Sequence, residues 1–269
     1  MSLVTTKSEL VELFHKLGVN EGDEVMVHSS MKSLGFVVNG PIDVIDALIE
    51  CVDLSKGTIL MPTHTGQLTD PAYWKNPKIE KKLVEMVRNS IKPFDKKLTP
   101  VRGRGVVAET LLSYPKVKRS DHPLNSVGAI GRNAEFYTNN HKFDEPEGID
   151  SPIGRLYQRN GRILGIGVGF DKFTAIHLAE YIADVEYLYK ENPIVLSGCK
   201  DGVNYFKRIK KYPNNSDNFI KVLPILRDNN LIKEVPFKNS VMTSFRLKSV
   251  VDHIVAILDE NPYFLVEHS

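Results

Sequence analysis

The first 62 residues constrain this chain most, because they alternate two amphipathic helical stretches with two short apolar runs. "TKSELVELFHKLG" opens with Thr6 and Glu9 at capping-box spacing. Leu10, Leu13, Phe14 and Leu17 follow at helical intervals, and Gly18 ends the run. "GDEVMVHSS" reads as a buried strand running into a polar turn. "GPIDVIDALIECV" is a second helix with Pro41 in its first turn, and "GTILMP" a second strand closed by Pro62. Such alternation predicts an α/β fold, with a sheet layered between helices on both faces.

The rest of the chain extends that plan. Residues 63–103 are loop-rich and carry the only tryptophan, Trp74. A loop following a strand of an α/β sheet commonly builds a ligand site. "RGVVAETLLSYP" reads as a helix, "RSDHPLNSVGAIG" as a turn and a short apolar stretch, and "GRILGIGVG" as a buried strand. After residue 186 the texture changes. "NPIVLSGCKDGVNYFKRIKKY" has the signature of a hairpin turning at Lys200-Asp201-Gly202. "DNFIKVLPILRDNN" reads as helical with Pro224 as a boundary or kink, "SVMTSFRLKS" as a strand and "VVDHIVAILDENP" as a last helix. We expect one compact unit over residues 1–269. Its core is 1–186, and 187–269 form a smaller antiparallel or α+β portion.

Composition excludes several classes. Lys plus Arg is 35 against 33 Asp plus Glu, a net charge of +2, which gives no general attraction to nucleic acid or membrane. The basic runs "FKRIKK" and "KVKRS" read as solvated faces. Cys51 and Cys199 show no CxxC spacing, which argues against a disulfide framework and a zinc site. No HExxH occurs among the eight histidines, so we expect no metal. No apolar run reaches the roughly 18 residues of a membrane span. "MSLVTTKSEL" lacks the apolar core of a signal peptide, and the expected location is cytoplasmic.

Three motifs carry candidate chemistry. Gly165, Gly167 and Gly169 suggest a nucleotide loop, but the fingerprint's last glycine is replaced by Phe170, leaving close packing at a strand end. "VHSSMKSLG" ends a strand with His28, Ser29, Ser30 and Ser33. Hydroxyls and free N–H groups at such a turn suit an anionic phosphate, although a capped turn uses the same residues. "KRSDHPLNS" gathers Arg119, Ser120, His122 and Ser126 in a loop restricted by Pro123. In "GFDKFTAIHLAEY", His177 and Glu180 lie three residues apart and are neighbours on a helix, with Asp171 just upstream. A carboxylate beside an imidazole makes a general base. The same spacing also describes a helical histidine with a surface partner.

Together these segments resemble the aminoglycoside 3-N-acetyltransferase (antibiotic N-acetyltransferase) family. The matching pieces are "GDEVMVHSSMKSLGFVVNGPIDVIDAL", "GTILMPTHTGQLTDPAYW", "FDKKLTPVRGRGVVAETLLSYPKVKRSDHPLNS", "SPIGRLY" and "ILGIGVGFDKFTAIHLAE". They follow the family's order over roughly residues 20–182. The resemblance implies transfer of an acetyl group from acetyl-coenzyme A to an aminoglycoside amine, on a fold unlike the common small acetyltransferase fold. It implies His177, Glu180 and Asp171 as catalytic residues. The turn His28, Ser29, Ser30, Met31, Ser33, Leu34 and Gly35 and the loop residues Arg119, Ser120, His122 and Ser126 would be coenzyme-binding. Asp70, Tyr73 and Trp74 would line the acceptor cleft. The acidic stretch "EPEGID" adds Glu147, beside Glu145 and Asp150, as a cation-binding candidate for that cleft. The same chemistry on another amine, or a non-catalytic coenzyme-binding protein, are the alternative readings.

Overall fold

The structure is a computed structural model that describes residues 4–190, 192–213 and 216–266. Its strands are Val4–Thr5 (β1), Glu24–Ser29 (β2), Phe36–Val37 (β3), Thr58–Pro62 (β4), Lys118–Arg119 (β5), Val127–Gly131 (β6), Arg162–Ile166 (β7), Ile194–Lys200 (β8), Val203–Arg208 (β9), Lys233–Phe237 (β10) and Ser240–Arg246 (β11). Its α-helices are Lys7–Lys16 (α1), Pro41–Val52 (α2), Val84–Ser90 (α3), Val106–Leu111 (α4), Ala134–Thr138 (α5), Pro152–Gln158 (α6), His177–Ile182 (α7), Leu223–Asp228 (α8) and Leu247–Glu260 (α9).

The expected alternation forms the heart of a seven-stranded sheet in the order β10-β11-β7-β2-β4-β6-β5. β2 pairs in parallel with both β4 and β7, and every other pairing in the sheet is antiparallel. Side chains alternate across it, as the two-residue strand period requires. Val25, Val27, Ile59, Met61, Leu164 and Ile166 face a core shared with α1, α2 and α4. Met26, Leu60 and Ile163 face the opposite core with α5 to α9. Thr6 and Glu9 make the capping box of α1, with Thr6 N donating to Glu9 Oε2 at 2.9 Å. Pro224 sits in the first turn of α8, as a boundary.

The segment after residue 186 divides its strands. The hairpin β8-β9 stands apart as its own two-stranded sheet over a small third core around Leu68, Leu124 and Ile209. β10 and β11 instead join the main sheet, with β11 antiparallel to β7. A hydropathy pattern reports strands and turns but not which sheet a strand enters.

At its N-terminal end β2 is anchored by a carboxylate. Glu24, 8% exposed, accepts hydrogen bonds from Asn133 Nδ2, Tyr137 Oη and Arg159 Nε, each at 2.7 Å. These groups come from α5, its N-cap and the residue after α6, so one charge ties the central strand to the helical layer. Removing it leaves the Tyr137 hydroxyl buried without its acceptor. We expect Glu24→Ala to destabilise the fold by about 3 kcal/mol. Urea unfolding should show a lower midpoint at unchanged slope.

Candidate active site

β7 delivers the chain to the site through two glycines. A Cβ on Gly165 would lie 2.4 Å from the Phe173 ring, and Gly167 (φ 60°) would place one against Ser33. They allow close packing where the chain leaves the sheet. Two short turns follow, and α7 begins at His177.

His177 Nδ1 and Glu180 Oε2 are 2.5 Å apart. Tyr187 Oη donates to the other carboxylate oxygen, Glu180 Oε1, at 2.8 Å. His177 is 6% and Glu180 1% exposed, so the spacing describes a buried pair and not a solvated face. Because the carboxylate accepts, Nδ1 carries the imidazole proton and Nε2 keeps the lone pair. Nε2 makes no hydrogen bond among the described residues. Burial pulls the pKa of His177 down, but the charge and hydrogen bond of Glu180, with the charge of Glu147, outweigh it and leave the pKa raised.

A second carboxylate shares this pocket. Glu147 is 2% exposed, and Asn125 Nδ2 donates to its Oε1 at 3.0 Å. Burial raises its pKa, while the charges of His177 and Arg104 oppose that rise. Asn125 Oδ1 is buried with no partner among the described residues. The Phe219 ring lies 4.7 Å from the His177 ring, and Tyr212 Oη stands 3.5 Å from Asn125 Nδ2.

Beside this pocket, a cavity of about 230 Å³ opens at the C-terminal ends of β2 and β4. His28, Ser29, Met61, Pro62, Arg104, Val168 and Lys172 are among its walls. After β2 the chain turns toward the α2 face, and after β7 it turns toward the α7 face. A crevice forms where such connections diverge, the usual ligand position in an open α/β sheet. His28, edge-on to Phe173, buries Nε2 with no partner among the described residues. Burial first and Arg104 second lower its pKa to about 3, so its ring is neutral.

The remaining sequence candidates fall into place as follows. Asp171 lies on the turn before α7 and pairs with Lys172, with no hydrogen bond to His177. In the turn after β2, Ser30 N donates to Ile166 O and Ser33 Oγ to Ser30 O. Leu34 is buried in the core with Met31 against it, and Gly35 adopts φ 71°. Among these residues His28 and Ser29 reach the cavity. In the loop 119–126 the side chains of Arg119, Ser120, His122 and Ser126 make hydrogen bonds within the protein. Arg119 is spent on Thr63 O, Thr99 O and Ser126 Oγ, and Ser126 Oγ donates to Thr63 O. Ser120 Oγ bonds His141 and accepts from Val127 N. His122 Nδ1 accepts from Leu124 N and Asn125 N, and its Nε2 bonds Phe143 O. These side chains hold the wall in shape. Asp70 is likewise committed, forked onto Arg88 at 2.7 and 3.0 Å, while Trp74 Nε1 donates to Thr69 O and Tyr73 is exposed. Of the "EPEGID" acids, Glu147 alone reaches His177. Glu145 pairs with Lys211 and Asp150 with Lys142.

Sequence reasoning missed Arg104, His64, Asn125, Tyr187 and Tyr212. Apart from Tyr187, seven residues from Glu180, their contacts span long separations, and only Arg104, set between two glycines, carried a local signal. Cys51 is excluded as a nucleophile, since burial pushes its thiol up to about 11 and it lies in α2. Among the described residues no group of three His, Cys, Asp or Glu converges as a metal site.

A family model described as aminoglycoside 3-N-acetyltransferase matches residues 26–259. The chain is 38% identical over 195 residues to the Bacillus subtilis prophage-derived aminoglycoside N(3')-acetyltransferase-like protein YokD, covering 72% of this chain and 71% of that one. The crystal structure of YokD superposes with a TM-score of 0.89 over 99% of this chain and 97% of that one, at 31% identity. Aminoglycoside N(3)-acetyltransferase VIII of Streptomyces fradiae is 34% identical over 205 residues, covering 72% and 68% of the two chains. A mutant of the acetyltransferase AAC(3)-IVa in complex with a gentamicin superposes with a TM-score of 0.83 at 27% identity, over 100% and 93%. The chain belongs to the aminoglycoside 3-N-acetyltransferase family.

Proposed function

We propose that this protein transfers the acetyl group of acetyl-coenzyme A to an aminoglycoside amine, at the 3-N position of 2-deoxystreptamine, with His177 as general base. The observation that carries the reading is the buried relay Tyr187–Glu180–His177, at 2.8 and 2.5 Å, beside the cavity at the strand ends. Family membership and the gentamicin complex of a relative support the acceptor class. The cavity has room for the slender acyl end of the coenzyme, with its bulkier nucleotide outside, and Arg104 gives its wall positive charge.

The acceptor amine is mostly protonated near neutral pH and attacks only as the free base. His177 Nε2 takes the proton, and Glu180, held by Tyr187, stabilises the imidazolium without giving up its own place. The new N–C bond forms first, the tetrahedral intermediate then collapses with cleavage of the C–S bond, and the proton on Nε2 passes to the departing thiolate. No covalent acyl-enzyme is needed. Placing both reactants in one crevice supplies much of the rate.

A second acceptor class has a specific observation behind it. Glu145, Asp144, Asp150 and Asp184 already pair with Lys211, Lys210, Lys142 and Lys211 in turn. A rim whose four acids already pair with three lysines suits an amine with few charges as well as a polycation. Thiol release with gentamicin, set against a panel of simple amines, separates the two. Fast turnover confined to the simple amines would overturn the aminoglycoside reading.

Two predictions test the base. His177→Ala should lower kcat on the order of 10²–10⁴-fold in protein that circular dichroism shows to be folded, with a lower melting temperature because Glu180 loses its buried partner. Retention of wild-type kcat would show that another group takes the proton. The working base is unprotonated, so kcat/KM should rise with pH through the raised pKa of His177. Glu180 raises that pKa, so Glu180→Gln should move the acid limb to lower pH while lowering the plateau rate. A limb that stays in place would separate Glu180 from the titration.

A further inference from the structure

Arg104 stands between Gly103 (φ 73°) and Gly105 (φ 82°). A Cβ on Gly103 would meet nothing within 4 Å, so the glycine serves backbone conformation and not space. The loop is fixed at two points to the segment after β4. Arg102 N donates to His64 O at 2.8 Å, and Arg104 Nη2 to His64 Nδ1 at 2.5 Å. Burial and then the charge of Arg104 hold the pKa of His64 well below its ordinary value, so its ring is neutral and Nδ1 can accept. That is the guanidinium's one hydrogen bond among the described residues, and no carboxylate forms an ion pair with it. A half-buried cation with most of its donors unspent is built to receive an anionic oxygen.

Two spaces meet at this side chain. Arg104 is a wall of the cavity shared with His28, Ser29 and Lys172. Its charge also acts on Glu147, Tyr212 and His177 in the base's pocket. In direct transfer the thioester carbonyl must lie where the coenzyme arm meets the amine, and its oxygen gains negative charge as nitrogen attacks. We propose that Arg104 is a catalytic residue whose guanidinium, positioned by neutral His64, binds that carbonyl oxygen and stabilises the tetrahedral oxyanion. The assignment rests on the acetyl-transfer reading above. Attack forms the N–C bond and moves the carbonyl π electrons onto oxygen, facing the Arg104 N–H groups. Collapse restores C=O and expels the thiolate. Arg104 exchanges no proton, and the amine's proton travels on His177.

The test uses Arg104→Gln and Arg104→Lys in the full chain, with thiol release measured on the pH plateau against acetyl-coenzyme A and the best acceptor. Arg104→Gln should lower kcat on the order of 10²–10³-fold. The acetyl-coenzyme A Kd by calorimetry should change by less than about three-fold, a charge lost at the carbonyl alone leaving ground-state binding nearly intact. Arg104→Lys should recover part of the rate, and His64→Ala should lose an intermediate amount. A raised Kd for acetyl-coenzyme A at unchanged kcat would place the arginine on a coenzyme phosphate and sink the proposal. A raised KM for the acceptor alone would sink it too. An arginine that only tuned His177, whose pocket also holds Glu180, Glu147, Tyr187 and Tyr212, would move the acid limb to higher pH and leave the plateau untouched. If Arg104→Gln does not fold, Arg104→Lys and His64→Ala decide, and wild-type rates in both would overturn the role. Wild-type protein releasing no thiol with any amine would overturn the transfer reading itself, and the arginine's role with it.

Discussion

The parallel pairing of β2 with β7 is the interaction on which the site depends. Its register sets His28 opposite Gly165 and Ser29 opposite Ile166, so both strands end together. One connection then leaves toward α2 and the other toward α7, and the crevice between them is a consequence of topology. The partner of His28 across the ladder has no side chain, which lets Phe173 pack under the strand and brings the start of α7 beneath the crevice. A shift of one residue would turn His28 to the other face and break this alignment. Glu24 holds the far end of the same strand, where no chemistry competes for it.

Charge in the pocket is arranged by withdrawing water. His177, Glu180 and Glu147 are nearly fully buried, where an unpaired charge is expensive. Glu180 is answered by His177 and Tyr187, and Glu147 by Asn125. Arg104 has a neutral histidine instead of a carboxylate. A carboxylate in that place would cancel the field that the guanidinium sends into both neighbouring spaces. With His64 as holder, the direction of the side chain is fixed and its charge stays available.

How much of this was legible depends on sequence separation. Capping of α1, the two parallel strands, the hairpin at Asp201-Gly202 and the last helix all follow from local patterns. The His177–Glu180 contact was legible for the same reason, since one helical turn fixes it. The contacts of Arg104 with His64 and of Asn125 with Glu147 join residues 40 and 22 positions apart, and no local period predicts them. The loop 119–126 shows the converse limit. Its polar residues look like ligands in a sequence, because a polar residue that braces a buried loop and one that grips a substrate are the same residue. In the structure Arg119, Ser120, His122 and Ser126 all make hydrogen bonds within the protein, a pairing that no local pattern announces.

The same distinction governs the acceptor. Net charge could not say whether a cation is welcome, and neither does counting acids near the site. Exposed pairs such as Asp184 with Lys211 are worth only about 0–1 kcal/mol, so a cationic guest can exchange with those lysines at little cost and little gain. Under the proposed acetyl transfer, discrimination would fall to the buried groups. Glu147 and Asn125 Oδ1, which has no partner among the described residues, accept hydrogen bonds, while Arg104 donates them. An acceptor that meets all three must bring donors toward Asn125 and leave the space at Arg104 to an oxygen. In acetyl transfer the amine side of the reaction supplies the donors and the carbonyl side supplies the oxygen, so the polarity of the pocket runs in the direction the chemistry requires.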